Sequence, residues 1–202
     1  YPLAYLMSQL PQRWAGVCMI FVLIPFWTSL LVRTYAWLVL LQRRGLVNQT
    51  LQDWGIIDAP LRLVHNYTGT VIGMLHIMLP FMILPLYAAL RSVDSNYMRA
   101  AANLGASPVR AFWTVFFPLS LPGVIAGSLL VFILSLGFYV TPAILGGGRT
   151  LMVAEYIKLQ ILDLIRWGVG TMMASTLLVA VVVVLAIFAR VVDFRRMFGS
   201  RH

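Results

Sequence analysis

Four stretches of this chain, residues 14–32, 66–90, 111–148 and 167–189, contain no aspartate, glutamate, lysine or arginine. About 20 apolar residues suffice to cross the hydrocarbon of a bilayer as a helix. Backbone amides find no water there, so each stretch must satisfy its own hydrogen bonds as a helix. A membrane barrel would alternate polar and apolar residues, and runs such as "LLVAVVVVLAIFA" do not. Charged residues make up only 10% of the 202 and hydrophobic ones 61%. A soluble domain carries about 25% charged residues, and one core of this size could not hide so much apolar surface. Residues 34–41 extend the first stretch past Arg33. Residues 1–8 read as the tail of a further span, and a portion before Tyr1 is expected to be missing. The expectation is an all-α membrane protein, a polytopic helical bundle of about five spans or part-spans in a single transmembrane domain, residues 1–202.

The net charge of +9 comes from 15 Lys+Arg against 6 Asp+Glu. In a soluble chain that would suggest nucleic acid. Here the basic residues fall between the apolar stretches, where they set topology and meet lipid headgroups, so no nucleic-acid partner is expected and membrane lipid is. One set of connections holds Arg13, Arg91, Arg99, Arg110, Arg190, Arg195, Arg196 and Arg201 with Asp94 and Asp193, net +6. The other holds Arg33, Arg43, Arg44, Arg62, Arg149, Lys158 and Arg166 with Asp53, Asp58, Glu155 and Asp163, net +3. The more basic set is expected in the cytoplasm, which leaves 42–66 and 146–166 as outer, periplasmic segments. Trp27, Tyr35, Trp37 and Trp167 read as interfacial anchors near span ends. Cys18 is the lone cysteine and reads as a packing residue, and His65, His76 and His202 lie at no metal-ligand spacing, so no metal site is expected. His76, inside a span, reads as a neutral histidine bonded across helices, with a functional role as the alternative.

Residues 92–118 carry the most local information. Asp94 or Ser95 can cap a helix over "YMRAAANL". Gly105 ends it. Ser107 caps a second helix with Pro108 in its first position. The chain thus stops, turns and restarts within about four residues, the spacing that such caps require. A helix–glycine–helix element suits docking into a groove on another protein; an ordinary surface connector fits the local pattern equally well.

The resemblance decides between them. Ala100, Ala101, Gly105, Val115 and Pro118 fall at the places of the signature loop of ABC-importer permeases, Phe117 stands for its leucine, and "LGASPVRAFWTVFFPLSLPG" agrees beyond the minimal pattern. Arg99 departs from it, standing where the family usually has glutamate, which puts one polar contact with the ATPase in doubt. "GFYVTPAILGGG", "IKLQ…WGVG" and "IPFWTSLLVRTYAWLVLL" followed by "GLVNQ" resemble the polyamine (spermidine/putrescine) class of these permeases. The resemblance implies a type I importer permease fold of six spans in a bacterial inner membrane. It implies a coupling loop at 92–118 in the cytoplasm, with Arg99, Ala100, Ala101, Gly105, Ala106, Ser107 and Pro108 meeting an ABC ATPase dimer. It also implies a second permease subunit completing the pore and a periplasmic solute-binding protein. ATP and magnesium would belong to the partner ATPase, with no cofactor and no catalytic residue on this chain. Permeases for other small solutes, opine- or amino-acid-like, share these segments.

A polycation needs carboxylates, aromatic faces and hydroxyl or carbonyl acceptors along its path. Ser135, Phe138, Tyr139 and Thr141 offer such groups where Gly137 and Pro142 loosen the helix; packing between helices explains them equally well. On a helix over 151–165, Tyr156, Gln160 and Asp163 share one face with Glu155 beside it, and a solvated interfacial face is the blander account. Glu155 and Lys158 could pair. A secondary carrier or membrane enzyme would need more intramembrane acids or histidines, or internal repeats, and neither has a use for the signature loop.

Overall fold

A computed structural model of the chain describes residues 1–191. Asp193, Arg195, Arg196, Arg201 and His202 lie outside the described residues. The described residues form eleven α-helices, two π-turns and no strand. In chain order the helices are α1 (Pro2–Gln9), α2 (Gln12–Trp27), α3 (Leu30–Leu41), α4 (Leu46–Asp53), α5 (Tyr67–Ser92), α6 (Ser95–Asn103), α7 (Pro108–Ala111), α8 (Phe117–Gly137), α9 (Val140–Gly146), α10 (Val153–Lys158) and α11 (Trp167–Val191). A π-turn, Phe112–Phe116, joins α7 to α8, and a second, Leu159–Asp163, follows α10. Three helices are long and apolar enough to cross a membrane: Tyr67–Ser92, Pro108–Gly137 and Trp167–Arg190.

The first expected span is not one rod. Gln12–Trp27 and Leu30–Asp53 meet at a bend of 100°. Pro25 lies in the last turn of α2 and offers its own carbonyl without donating an amide. The carbonyls freed by the break are then taken up locally. Thr28 Oγ1 donates to Pro25 O at 2.9 Å, and the Arg33 guanidinium donates to Pro25 O and to Thr28 O. A charged side chain amid apolar neighbours is tolerated when it meets backbone carbonyls in this way. Pro80, Pro85 and Pro122, by contrast, lie inside helices that continue through them.

The antiparallel pair α5 and α8 is the spine of the molecule. Gly123 faces Ala89 and the Pro85 carbonyl, and Gly127 faces Met82 and Pro85. A Cβ at either position would overlap its neighbours. Small residues of this kind let membrane helices approach closely, where dispersion and packing drive association. Toward one end of the pair, Ala4, Met7, Val22, Ile83, Leu86, Leu90 and Phe116 form a buried cluster that seats α1 and α2. Toward the other, Met74, Ile77 and Met78 pack with Leu30, Leu134 and Phe138. The first turn of α11 packs on the second π-turn, where Gly170 meets Ile161, but its apolar window lies wholly at the surface of the described residues. Such a helix is hydrophobic all round and needs lipid or another subunit around it.

Two cross-helix hydrogen bonds tie the broken span to the spine. Trp37 Nε1 donates to His76 Nδ1 at 2.8 Å, and the Thr34 and Thr141 hydroxyls lie 3.0 Å apart in a buried pair. Trp37, expected at the membrane interface, is thus a bonding partner of α5. The N-terminal end of α5 is capped by Asn66, whose Oδ1 accepts from Gly69 N at 2.8 Å.

Candidate functional site

The segment 92–118 has the capped form that its sequence predicts. Asp94 Oδ1 accepts from Asn96 N at 2.9 Å, which starts α6. At the other end Gly105 takes φ 81°. Its N–H donates to Ala102 O at 2.9 Å, and Ala106 N–H donates to Ala101 O at 3.0 Å. These two bonds are the paired closure of a helix ended by a left-handed glycine. Ser107 Oγ then accepts from Arg110 N at 3.4 Å, with Pro108 in the first position of α7.

Ala101 and Ala111 face inward and are buried, whereas Arg99, Ala100, Gly105, Ser107 and Pro108 are exposed and Ala106 is half-buried. Around the glycine an apolar crest projects outward. Leu104 is 89% exposed, Val109 70% and Trp113 60%. A hollow of about 440 Å³ beside it is lined by Tyr97, Ala101, Leu104, Gly105, Arg110 and Thr114. Covering a large apolar side chain yields roughly 1.5–3 kcal/mol, so this crest can support an interface. The π-turn holds the crest to the body: Tyr5 meets Phe116 at 5.2 Å and Phe112 at 5.5 Å, both edge-on, the geometry that aromatic pairs favour.

The pathway candidates do not converge on one site. The chain breaks between α8 and α9, where Phe138 is extended and its N–H reaches back to Ser135 O at 3.3 Å. Phe138 packs into the Met74 cluster. Ser135 lines an apolar groove of about 760 Å³ with Tyr1, Leu75, Met82 and Phe132. Tyr139 is exposed at the break. Thr141 is buried and bonded to Thr34.

The helix expected over 151–165 starts at Val153 and turns to π geometry at Leu159. That extra residue per turn changes the pairing: Lys158 Nζ bridges both oxygens of Asp163 at 2.8 Å, not Glu155. Tyr156 and Asp163 face outward. Glu155 and Gln160 turn inward, 8% and 4% exposed, and Glu155 Oε2 and Gln160 Oε1 have no hydrogen-bond partner among the described residues. Burying an unpaired polar group costs free energy, so these two acceptors are the polar groups of α10 and the π-turn after it with the strongest call for a ligand or neighbour.

Sequence reasoning passed over one feature. Arg43, Arg62, His65 and Arg149 line a cleft of about 740 Å³ at the end of α5 opposite the crest. Its signal was the count of arginines in the two connections that should have been poorest in them.

The fold is that of a multi-pass helical membrane protein. The family model described as "Binding-protein-dependent transport system inner membrane component" matches residues 1–197. The chain belongs to that family. It is 36% identical over 190 residues to the spermidine/putrescine transport system permease protein PotB of Haemophilus influenzae, covering 94% of this chain and 66% of the relative. PotB of Escherichia coli is 33% identical over 94% of this chain and 69% of the relative. The molybdenum transport system permease protein ModB of Escherichia coli is 36% identical over 62% of this chain and 56% of the relative. The chain spans about two thirds of the length of the PotB relatives that it matches.

Proposed function

We propose that this chain is a permease subunit of an ATP-driven importer for polyamines, forming part of the translocation path with a second permease subunit. Segment 92–118 lies in the cytoplasm and seats in a cleft of an ABC ATPase, which binds ATP and magnesium. Segments 42–66 and 146–166 lie outside and receive solute from an extracytoplasmic binding protein. The observation that carries this reading is the exposed crest of Leu104, Val109 and Trp113, held in one shape by the caps on either side of Gly105. An apolar crest with a fixed backbone is a docking element, and ATP-driven closure of its partner would bias the spans between two arrangements. Similarity to the PotB relatives over 94% of the chain supports the polyamine class.

Along the path, Tyr139 offers an aromatic face to an ammonium group. Glu155 and Gln160 offer the unpaired acceptors that a polycation needs, and Tyr156 presents its ring on the outward side of the same segment. Ser135 and Phe138 flank the break. Thr141 and Asp163 already hold partners within the chain and contribute less. Another small solute, opine- or amino-acid-like, is the second reading, and the similarity to a molybdenum transport permease, ModB, shows that relatives differ in what they carry.

Proteoliposomes containing the assembled complex test this. Labelled spermidine or putrescine should enter only with ATP, the ATPase and the binding protein all present. Glu155→Gln and Tyr139→Ala should each lower uptake severalfold with complex assembly unchanged. Molybdate uptake in place of polyamine, or polyamine uptake without the ATPase, would reject the reading.

A further inference from the structure

The cleft at the outer end of α5 is lined by three arginines from separate parts of the chain. Arg43 follows α3, Arg62 precedes α5 and Arg149 follows α9. Among the described residues none of the three makes a side-chain hydrogen bond, and the one ion pair is Lys158–Asp163 elsewhere. All three are exposed.

Their proximity is built rather than incidental. Asn48, wholly buried, donates through Nδ2 to Gln42 O and to Leu61 O at 3.0 Å each, and its Oδ1 accepts from Leu61 N at 2.8 Å. One amide therefore clamps the residues immediately before Arg43 and Arg62. On the third side, His65 N–H donates to Leu145 O at 2.7 Å, and Gly147 lies against the His65 ring. His65 itself is held at φ 56°, a conformation that a non-glycine residue keeps only where its surroundings impose it.

Three like charges lining one cleft repel one another, and outer connections of membrane proteins are ordinarily depleted of arginine. The anionic surface potential that draws basic residues belongs to the cytoplasmic leaflet. Arginine in such a fork is suited to paired carboxylate oxygens. On the reading above, the solute arrives on a soluble protein, and a protein that carries a polycation must present carboxylates around its cleft. We infer that the Arg43–Arg62–Arg149 cleft is the seat on this chain for an acidic rim of the extracytoplasmic binding protein. This rests on the polyamine-importer reading and adds where, and by what chemistry, the delivering protein docks. The same cluster repels free polycation, so solute reaches the path by delivery rather than from bulk.

The test uses the assembled complex in nanodiscs and the cognate binding protein carrying a fluorophore. Arg43→Gln, Arg62→Gln and Arg149→Gln are combined in one variant, with the three Arg→Lys changes as the charge-keeping variant. The seat predicts that wild-type affinity falls steeply as salt rises. The glutamine variant should bind at least tenfold more weakly at low salt and respond little to salt, and the lysine variant should recover most of the affinity. ATPase activity without binding protein should match wild type in both, which verifies folding and assembly. Equal affinity and equal salt response in the glutamine variant would overturn the seat. So would a variant whose docking is intact but whose stability no longer depends on anionic phospholipid in the disc, which would assign the cleft to a lipid headgroup. A wild-type complex that binds no polyamine-carrying protein at all would fail the parent reading instead.

Discussion

Gly105 offers the sharpest test of the docking element, because its role is confined to one backbone angle. At φ 81° it lies in the left-handed region, and a Cβ built there meets nothing within 4 Å. Gly105→Ala therefore introduces no clash and costs only the left-handed penalty, about 1–2 kcal/mol. Since 1.4 kcal/mol is tenfold, the equilibrium constant for forming the native turn should fall about 5- to 30-fold. Gly105→Pro cannot reach a positive φ at all, and it also removes the N–H that donates to Ala102 O. That combination exceeds about 3 kcal/mol, or more than roughly 100-fold. Gly105→Asn, whose side chain tolerates this region, should remain within a few-fold of wild type. The assay is solute transported per ATP hydrolysed in proteoliposomes, with span insertion followed separately. The expected order of coupling is Gly, Asn, Ala, Pro, with insertion unchanged throughout. Coupling in the proline variant equal to wild type would refute the reasoning. An asparagine variant as damaged as the proline one would also refute it, since side-chain bulk rather than backbone angle would then govern.

Two further outcomes follow from the packing. Gly123→Val should lower the thermal stability of the purified chain by about 1–3 kcal/mol, the usual cost of overfilling a tight contact, whereas Gly16→Val, where a Cβ meets nothing within 4 Å, should leave the melting midpoint unchanged. Trp37→Phe should cost about 1 kcal/mol, within the range for hydrogen bonds between membrane helices; a double-mutant cycle with His76→Phe should show coupling of that size, and zero coupling would remove the bond from the account.

The turn at Gly105 was legible because each of its signals is local. Asp94, Ser107 and Pro108 act within three residues of themselves, and a glycine between two helix-forming runs has one ordinary use. The loosened helix near Gly137 was readable for the same reason, and the structure breaks there. The bend after Pro25 was not legible. Hydropathy is continuous across it, and proline alone does not mark a break in a chain where Pro80, Pro85 and Pro122 sit inside continuing helices. What distinguishes Pro25 is the cap supplied by Thr28 and by Arg33, which is eight residues away. The pairing of Lys158 was misread because helix spacing assumes 3.6 residues per turn, and the π-turn at Leu159–Asp163 adds to that count. The arginine cleft depends on contacts between residues 43, 62 and 149, and no local pattern could have joined them.

The contact of Gly123 and Gly127 with α5 sets how a disturbance at the crest travels. Helix α5 spans roughly 39 Å at 1.5 Å per residue, with the crest at one end and the arginine cleft at the other. At Gly123 the two helices approach to the backbone, and at Gly127 only the Met82 and Pro85 side chains lie between them, so little there absorbs a displacement. The pair therefore behaves as a stiff beam, and any give must come from the 100° elbow beside it.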